Sequence, residues 1–495
     1  MSTSPRAGRC GLRARDASGS VNRVLVVVVA LAVLIAGALW YAAEPRHAAA
    51  PPSTGEVPSV PLPSRDAAEL TLTQPDLAQP VLPGVDPEAP RDISAAALRR
   101  VLADTLVSRA LGRHAVLVVS ELGESSPLLQ VGRPHLVTPA SLLKLLTTTA
   151  ALSLLGPEQR FATTVVAGTI PGAVTLVGGG DPLLTRMPSK VAGEAQPLPE
   201  LASLAELARL TASRLRADGI RAISLSYDDS LFSGPAVSPA WEPTYVTESI
   251  VSPISALWVD EGRADSEESL RVGAPATFAA ERFAALLDSR GIRVRAAPVF
   301  SRADPRALEL ARVESPPLEQ IVEHIIAVSD NEAAEVLLRH VGLAAGFAGS
   351  FTGGVRGLLD TVTSLGIDVS GADVYDGSGL SRRTLVPVDV LVDVLNKSAE
   401  RDSPQLRAMV AALPVAGFSG SLASRFLADA PVGLGVVRAK TGTLTGVHGL
   451  AGLVTTRGGS VLVFAAVADR VPVVKTLAAR AQLERIAAKL STCAC

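Results

Sequence analysis

An uncharged apolar run over residues 24–43 constrains this 495-residue chain more than any other feature. It is about the length a helix needs to cross a bilayer. Arg6, Arg9, Arg13, Arg15 and Arg23 precede it, and Glu44, Arg46 and His47 follow. By the positive-inside rule, residues 1–23 form a cytoplasmic tail and everything after residue 43 is exported. The run reads as an uncleaved signal-anchor, because it is longer than a usual signal core. The competing reading is a signal peptide cut near Ala48-Ala49-Ala50. Residues 44–91 are dense in proline, with Ser, Thr and Asp but little periodicity. Such a segment cannot bury enough apolar surface to offset its ordering entropy and reads as an extended linker. The folded body therefore begins near residue 92.

Formal net charge is only −2 and no basic stripe is visible, which excludes a nucleic-acid partner on electrostatic grounds. The three cysteines are Cys10, Cys493 and Cys495. None lies within the body, so neither a disulfide framework nor a cysteine zinc site is available there; the last two, a Cys-x-Cys, read as an unpaired tail, with a tail redox pair as the alternative.

Within the body, Leu98, Leu102 and Leu106 repeat at helical spacing after a capping Asp92 or Ser94. Two extended stretches, His114 to Val119 and Leu128 to Val131, flank Gly123-Glu124-Ser125-Ser126-Pro127 and predict a hairpin. Residues 161–303 alternate between strand and helix signals. Leu201, Leu204, Leu207 and Leu210 mark one helix; Phe278, Phe283, Leu286 and Leu287 mark another. Each ends in Gly-Ile, a device repeated at Gly366-Ile367, where glycine tolerates the left-handed helix end. Near the carboxyl end, Val432 to Lys440, Gly446 to Thr456 and Ser460 to Ala468 predict three antiparallel strands, followed by a helix from Val473 to Leu490. Strands packed on terminal helices predict an α+β domain.

Three short motifs carry the chemistry. Ser141 and Lys144 stand three apart at the start of an apolar helix, so hydroxyl and amine share one face. A desolvated lysine with a lowered pKa can take the serine's proton. Lysine occurs only at 144, 190, 397, 440, 475 and 489, and only Lys144 has a serine three residues before it. Arginine cannot act as such a base, so a lysine kept in an arginine-rich chain stands out. Lys440-Thr441-Gly442-Thr443, at the end of the first predicted carboxyl-terminal strand, offers an amine, two hydroxyls and close backbone approach, a cradle for a carboxylate. The backbone N–H of Thr443 can pair with that of Ser141 as an oxyanion hole. Ser329-Asp330-Asn331 offers a second hydroxyl and a side-chain amide; alone, it reads as a helix cap or Asx turn.

In this order the motifs resemble the class C low-molecular-mass penicillin-binding proteins, the D-alanyl-D-alanine carboxypeptidase/endopeptidases. Gly178-Gly179-Gly180-Asp181-Pro182-Leu183, Ser252-Pro253-Ile254-Ser255-Ala256-Leu257, Ser315-Pro316-Pro317-Leu318 and Asp376-Gly377-Ser378-Gly379-Leu380-Ser381-Arg382 look like stretches of that family too. The interval from Ser141 to Ser329 is far longer than in a β-lactamase. The resemblance implies a β-lactamase/transpeptidase-like catalytic domain in two parts, 92–160 and 304–495, carrying an inserted, non-catalytic α/β region over 161–303. It also implies that Ser141 attacks the penultimate D-alanine carbonyl while Lys144 accepts its proton. Ser329, aided by Lys440, protonates the leaving nitrogen. Asn331, Thr441, Gly442 and Thr443 bind substrate, and no cofactor takes part. Peptidoglycan stem peptides and β-lactams are the implied ligands, with the membrane engaged through the amino-terminal helix. Two stretches depart from the family: Ser-Arg-x-Asn reads Ser381-Arg382-Arg383-Thr384, and Ala-Gly-x-Asp-Gly-Thr-Leu reads Ala416-Gly417-Phe418-Ser419-Gly420-Ser421-Leu422.

Other polar groups read as structural. His114, His135, His324, His340 and His448 lack His-Glu-x-x-His spacing, so no metal site is expected. Asp228-Asp229 reads as a turn, and Gly178-Gly179-Gly180-Asp181 as a tight turn between strands. Two other functions fit parts of the pattern: a β-lactamase or esterase of the same fold, and a non-catalytic wall-binding scaffold. No Glu-x-x-Leu-Asn deacylation element is evident for the first, and the intact motifs argue against the second.

Overall fold

The computed structural model describes residues 93–106, 108–124, 126–133, 135–188, 200–264 and 270–493. The tail, signal-anchor and linker expected over 1–91 lie outside these residues. Helix α1 (Ala95–Leu106) leads into β1 (Ala115–Glu121), β2 (Leu129–Val131), the short β3 (Leu136–Val137), a tight turn over Ala140–Leu142 and α2 (Leu143–Leu155). Next come β4 (Ala162–Ala167), β5 (Ala173–Val177), α3 (Leu204–Ala217), β6 (Ala222–Asp228), α4 (Pro275–Asp288), β7 (Arg293–Val294), β8 (Val299–Phe300) and β9 (Glu309–Glu314). The chain continues through α5 (Leu318–Val328), α6 (Asn331–Ala344), α7 (Phe351–Ser364), β10 (Val386–Pro387), α8 (Val388–Ala399) and α9 (Arg407–Ala411). It finishes with β11 (Val437–Leu444), β12 (Val447–Thr455), β13 (Val461–Ala468) and α10 (Thr476–Ser491).

The carboxyl-terminal strands join the amino-terminal hairpin in one antiparallel sheet of order β11-β12-β13-β1-β2. Both faces are covered. One packs against α1 and α10 through Leu98, Leu102, Phe464, Leu483 and Ile486. The other packs against α2, α5, α6 and α8. Helix α2 is buried over most of its length, at every residue from Leu143 to Leu152. Apolar on all sides, it cannot lie at a surface. Its threonines return their hydroxyls locally or to neighbours, Thr148 to the Lys144 carbonyl at 2.7 Å and Thr147 to the Gly377 carbonyl at 2.7 Å.

The first carboxyl-terminal strand differs from expectation. It starts at Val437, because Pro431–Gly433 forms a short helical turn, and it runs on to Leu444, so Lys440 lies within the strand and not at its end. Cys493 is buried and disulfide-bonded, which corrects the reading of an unpaired tail.

A second sheet, β7-β6-β5-β4-β9 with β8 on β6, has its own core with α3 and α4. Strands β5 and β6 are parallel, as the α3 crossover requires. Gly219 and Gly291, closing α3 and α4, have φ of +74° and +78°, the left-handed ends read from Gly-Ile. The sheet takes in β9, past the expected boundary at 303. Trp241, Val251, Ile254 and Trp258 leave this core altogether and pack with α2, α5 and α6. The inserted region is therefore interleaved with the first body rather than appended to it. The Gly178–Asp181 stretch is likewise no turn between strands: it carries the chain from β5 to α6, where His340 Nε2 meets the Gly180 carbonyl at 2.9 Å. Asp228 does make a turn, its carboxylate accepting from the N–H groups of Ser230 and Ala303.

Gly442 and Gly449 face each other across β11 and β12, and the Ala140–Leu142 turn lies on this bare patch. A Cβ at Gly442 would stand 2.8 Å from the Pro139 carbonyl oxygen and 3.0 Å from Leu142. The backbone oxygen cannot swing away as a flexible side chain could. Gly442→Ala is therefore expected to lower unfolding free energy by about 1–3 kcal/mol, measured by urea denaturation against wild type.

Candidate active site

The first motif is built on strain. Ala140 has φ +49°, a left-handed conformation disfavoured for a residue with a Cβ, and Ser141 follows at the sheet-side end of α2. Lys144, fully buried one turn on, donates to three acceptors: Ser141 Oγ at 3.1 Å, Asn331 Oδ1 at 2.8 Å and the Ser378 carbonyl at 2.8 Å. Burial lowers its pKa to about 8, against the opposing pull of the carboxylates of Glu335, Asp330, Asp376 and Glu332.

The second and third motifs meet in the same way. Ser329 closes α5 with φ +66°, and Asp330 caps α6 by accepting from Ala333 N–H at 2.9 Å. Lys440 is fully buried in β11 and donates to Ser329 Oγ at 2.7 Å and to the Thr441 carbonyl at 3.0 Å. Burial, and then the nearby Lys144, hold its pKa well below the ordinary lysine value. Thr441 Oγ1 lies 3.1 Å from Ser421 Oγ, so one departure from the family pattern contributes directly to this wall. At the other, Thr384 Oγ1 accepts from Tyr375 N–H. Gly442 lies over the serine turn, and Thr443 is exposed on the edge strand opposite His448.

The structure thus joins Ser141, Lys144 and Asn331 in one hydrogen-bonded set and Ser329, Lys440 and Thr441 in another, with Gly442 packed beside Ser141. Groups not singled out from sequence complete the frame. Glu335, one helical turn beyond Asn331, accepts from the N–H groups of Gly377 and Ser378 at 2.8 to 3.1 Å. Asp376 accepts from Trp241 Nε1 at 2.8 Å and from the N–H groups of Gly379 and Ser381. These two carboxylates fix the loop whose Ser378 carbonyl holds Lys144. Burial, reinforced by Asp376, pushes Glu335 up to about 7. Their signals were in the sequence: an i, i+4 relation to Asn331, and the Asp376–Arg382 stretch.

Among the described residues, Glu261, His324 and Asp330 bring imidazole and carboxylate atoms within 4.8 Å of one another. Arg263 and Arg271 stand 2.9 and 4.0 Å from the Glu261 carboxylate, and Asp330 pairs with His324, so protein groups already meet their charge.

A serine paired with a buried amine, closed by a second serine–lysine pair on an antiparallel sheet, defines an acyl-transfer enzyme. A family model described as D-Ala-D-Ala carboxypeptidase 3 (S13) matches residues 96–268 and 263–490. The chain is similar to carboxypeptidase DacB of Mycolicibacterium smegmatis, 34% identical over 482 residues and 96% of each chain. It is also similar to the D-alanyl-D-alanine carboxypeptidase of an Actinomadura species, 30% identical over 64% of this chain and 70% of that one. Its fold is that of penicillin binding protein 4 from Haemophilus influenzae, with a TM-score of 0.65 at 22% identity over 79% of this chain and 98% of the other. The chain belongs to the D-Ala-D-Ala carboxypeptidase 3 (S13) family and is a serine D,D-peptidase acting on peptidoglycan.

Removing the Glu335 carboxylate would leave the buried N–H groups of Gly377 and Ser378 without partners. Glu335→Ala is expected to cost on the order of 3 kcal/mol of stability and to slow penicillin acylation as the Ser378 carbonyl shifts. Chemical denaturation and acylation rates check both.

Proposed function

We propose that Ser141 is the nucleophile and Lys144 its base in cleavage of the terminal D-alanyl-D-alanine bond, or of a D,D cross-link. The observation that carries this is the threefold hydrogen bonding of Lys144. A neutral amine has two hydrogens and one lone pair. Donating to Asn331 Oδ1 and the Ser378 carbonyl uses both hydrogens and leaves the lone pair facing Ser141. Attack then passes the serine proton to Lys144 as the Oγ–carbon bond forms. With its Oδ1 held by Lys144, Asn331 presents its NH₂ outward, suited to a substrate carbonyl. Ser329, hydrogen-bonded to Lys440, relays a proton to the departing nitrogen. The backbone amides of Ser141 and Thr443 receive the oxyanion, and Thr441 and Thr443, with Gly442 allowing close approach, receive the terminal carboxylate. Water then releases the acyl group. A β-lactam presents an amide and a carboxylate in a similar arrangement, its amide strained by the four-membered ring, and acylates Ser141.

The protein works on the extracytoplasmic face, tethered by residues 24–43; the arginines before that run support this orientation. Among the described residues no helix is long and apolar enough to cross a membrane. Fractionating cells that express the full chain, or the chain lacking 1–43, tests the tether: only the former should stay with the membrane.

Incubation with labelled penicillin and with a pentapeptide ending in D-alanyl-D-alanine tests the mechanism. Wild type should carry the label and release D-alanine, and Ser141→Ala should do neither. Because Lys144 acts as the neutral amine and its pKa is depressed to about 8, acylation should rise about tenfold per pH unit as pH climbs toward that value. A pH-independent acylation rate would remove Lys144 from the role of base.

A further inference from the structure

The turn Asp260–Gly262, in the inserted region, is held in an unusual backbone state. Asp260, Glu261 and Gly262 have φ of +51°, +54° and +71° in succession. Only the third is a glycine, and a Cβ there would lie 2.1 Å from Ser252 Oγ. Non-glycine residues keep such conformations only when their surroundings over-determine them. Asp260 is held by Arg186, through its N–H at 3.0 Å and its Nε at 3.1 Å. Between Asp260 and Gly262, Glu261 is delivered to the second catalytic motif.

There it meets His324 of α5 and Asp330 of α6. Asp330 bridges the two helices: Oδ1 caps α6, and Oδ2 lies 3.0 Å from His324 Nε2. The left-handed residue these contacts bracket is Ser329, whose Oγ is held by Lys440. Around the pair stand Glu332, paired with Arg271 at 2.7 Å, and Arg263, paired with Glu261 at 2.9 Å, with the Lys144 amine beyond. Three carboxyl groups thus face two arginines. Burial with the Asp330 charge raises Glu261 and pushes Glu332 up to about 7, so a protonated His324 balances the cluster once those carboxyls are ionised.

We propose that His324 is a positioning residue for acylation: as an imidazolium between Asp330 and Glu261, it clamps the second motif to the 260–262 turn, and its deprotonation loosens Ser329. The proposal rests on the role given to Ser329 above. Burial pulls the His324 pKa down, but the hydrogen bond and charge of Asp330, followed by the charge of Glu261, outweigh it and raise the pKa above 6.5. The sign follows. The clamp holds while His324 is protonated and Asp330 and Glu261 are ionised, Glu261 giving up its charge first as pH falls. It is lost as pH climbs through the raised His324 value, giving acylation an alkaline limb opposite the acid limb of Lys144.

The test is the pH dependence of penicillin acylation by the full-length chain, separating initial affinity from the acylation step, with thermal melting alongside. His324→Gln keeps a donor without the charge. It should acylate slower by on the order of 10- to 100-fold at low pH, with affinity little changed and no alkaline limb. His324→Arg, a permanent cation, should recover the rate and also lack the limb. Glu261→Gln should keep the limb but move it to lower pH, since it removes a charge that favours the imidazolium. Glu261→Gln with the wild-type profile, or His324→Gln with the wild-type rate and profile, overturns the proposal. If neither His324 variant folds, Glu261→Gln decides alone. A wild type that penicillin does not label at Ser141 would instead overturn the catalytic reading.

Discussion

Everything in the cleft depends on a lysine amine placed where water cannot reach it. An isolated buried ammonium would be costly by several kcal/mol, and the protein manages that cost in two ways. Three acceptors satisfy the Lys144 hydrogens, and burial lets the proton leave near pH 8 rather than 10.5. Satisfaction fixes the amine in space, and depression of its pKa suits it to the role of base proposed above. Either alone would be insufficient: a loosely held amine could not aim its lone pair, and a charged one would have none to aim.

This arrangement explains why the acceptors come from such distant parts of the chain. Asn331 starts α6 and Ser378 lies on a loop beyond α7, held by Glu335 and Asp376. Trp241, from the inserted region, donates to Asp376. The long interval between the first and second motifs is therefore not a passive spacer. Part of it reaches back through Trp241 and Trp258 into the core shared with α2, and another part brings Glu261 against Asp330. The site is a product of both regions.

Much of this was legible in the sequence, and the exceptions have physical causes. The motifs, the hairpin, the helices closed by Gly-Ile and the carboxyl-terminal strands all rest on local pattern, and they appear nearly where the pattern puts them. The strand holding Lys440 was misplaced by several residues because Val432 to Val436 has strand-like composition, while Pro431 starts a turn. The reach of the inserted sheet to β9 could not be read, since pairing with β4 is a long-range choice that composition does not encode. Glu335 and Asp376 left only indirect signals, an i, i+4 relation to Asn331 and the Asp376–Arg382 stretch; their task of holding the Ser378 loop appears only from their burial beside Lys144. The left-handed state of Ala140 and Ser329 is also invisible in residue type, because neither is glycine.

The placement of strain argues for how the site is kept. Ala140 precedes Ser141, Ser329 carries the second hydroxyl, and Asp260 and Glu261 face the second motif; all four are non-glycine residues with positive φ. Each position is countered by close packing or charge: Ala140 by Gly442 and Gly379, whose missing side chains leave room for its backbone, and Ser329 by Lys440. Asp260 is countered by Arg186, and Glu261 by Arg263. Relaxing any one would turn a hydroxyl or a carboxylate away from its partner while leaving the helices intact. The geometry of the proposed site is therefore set by how firmly a few strained backbone positions are held, and the buried glycines and paired charges around them are the means.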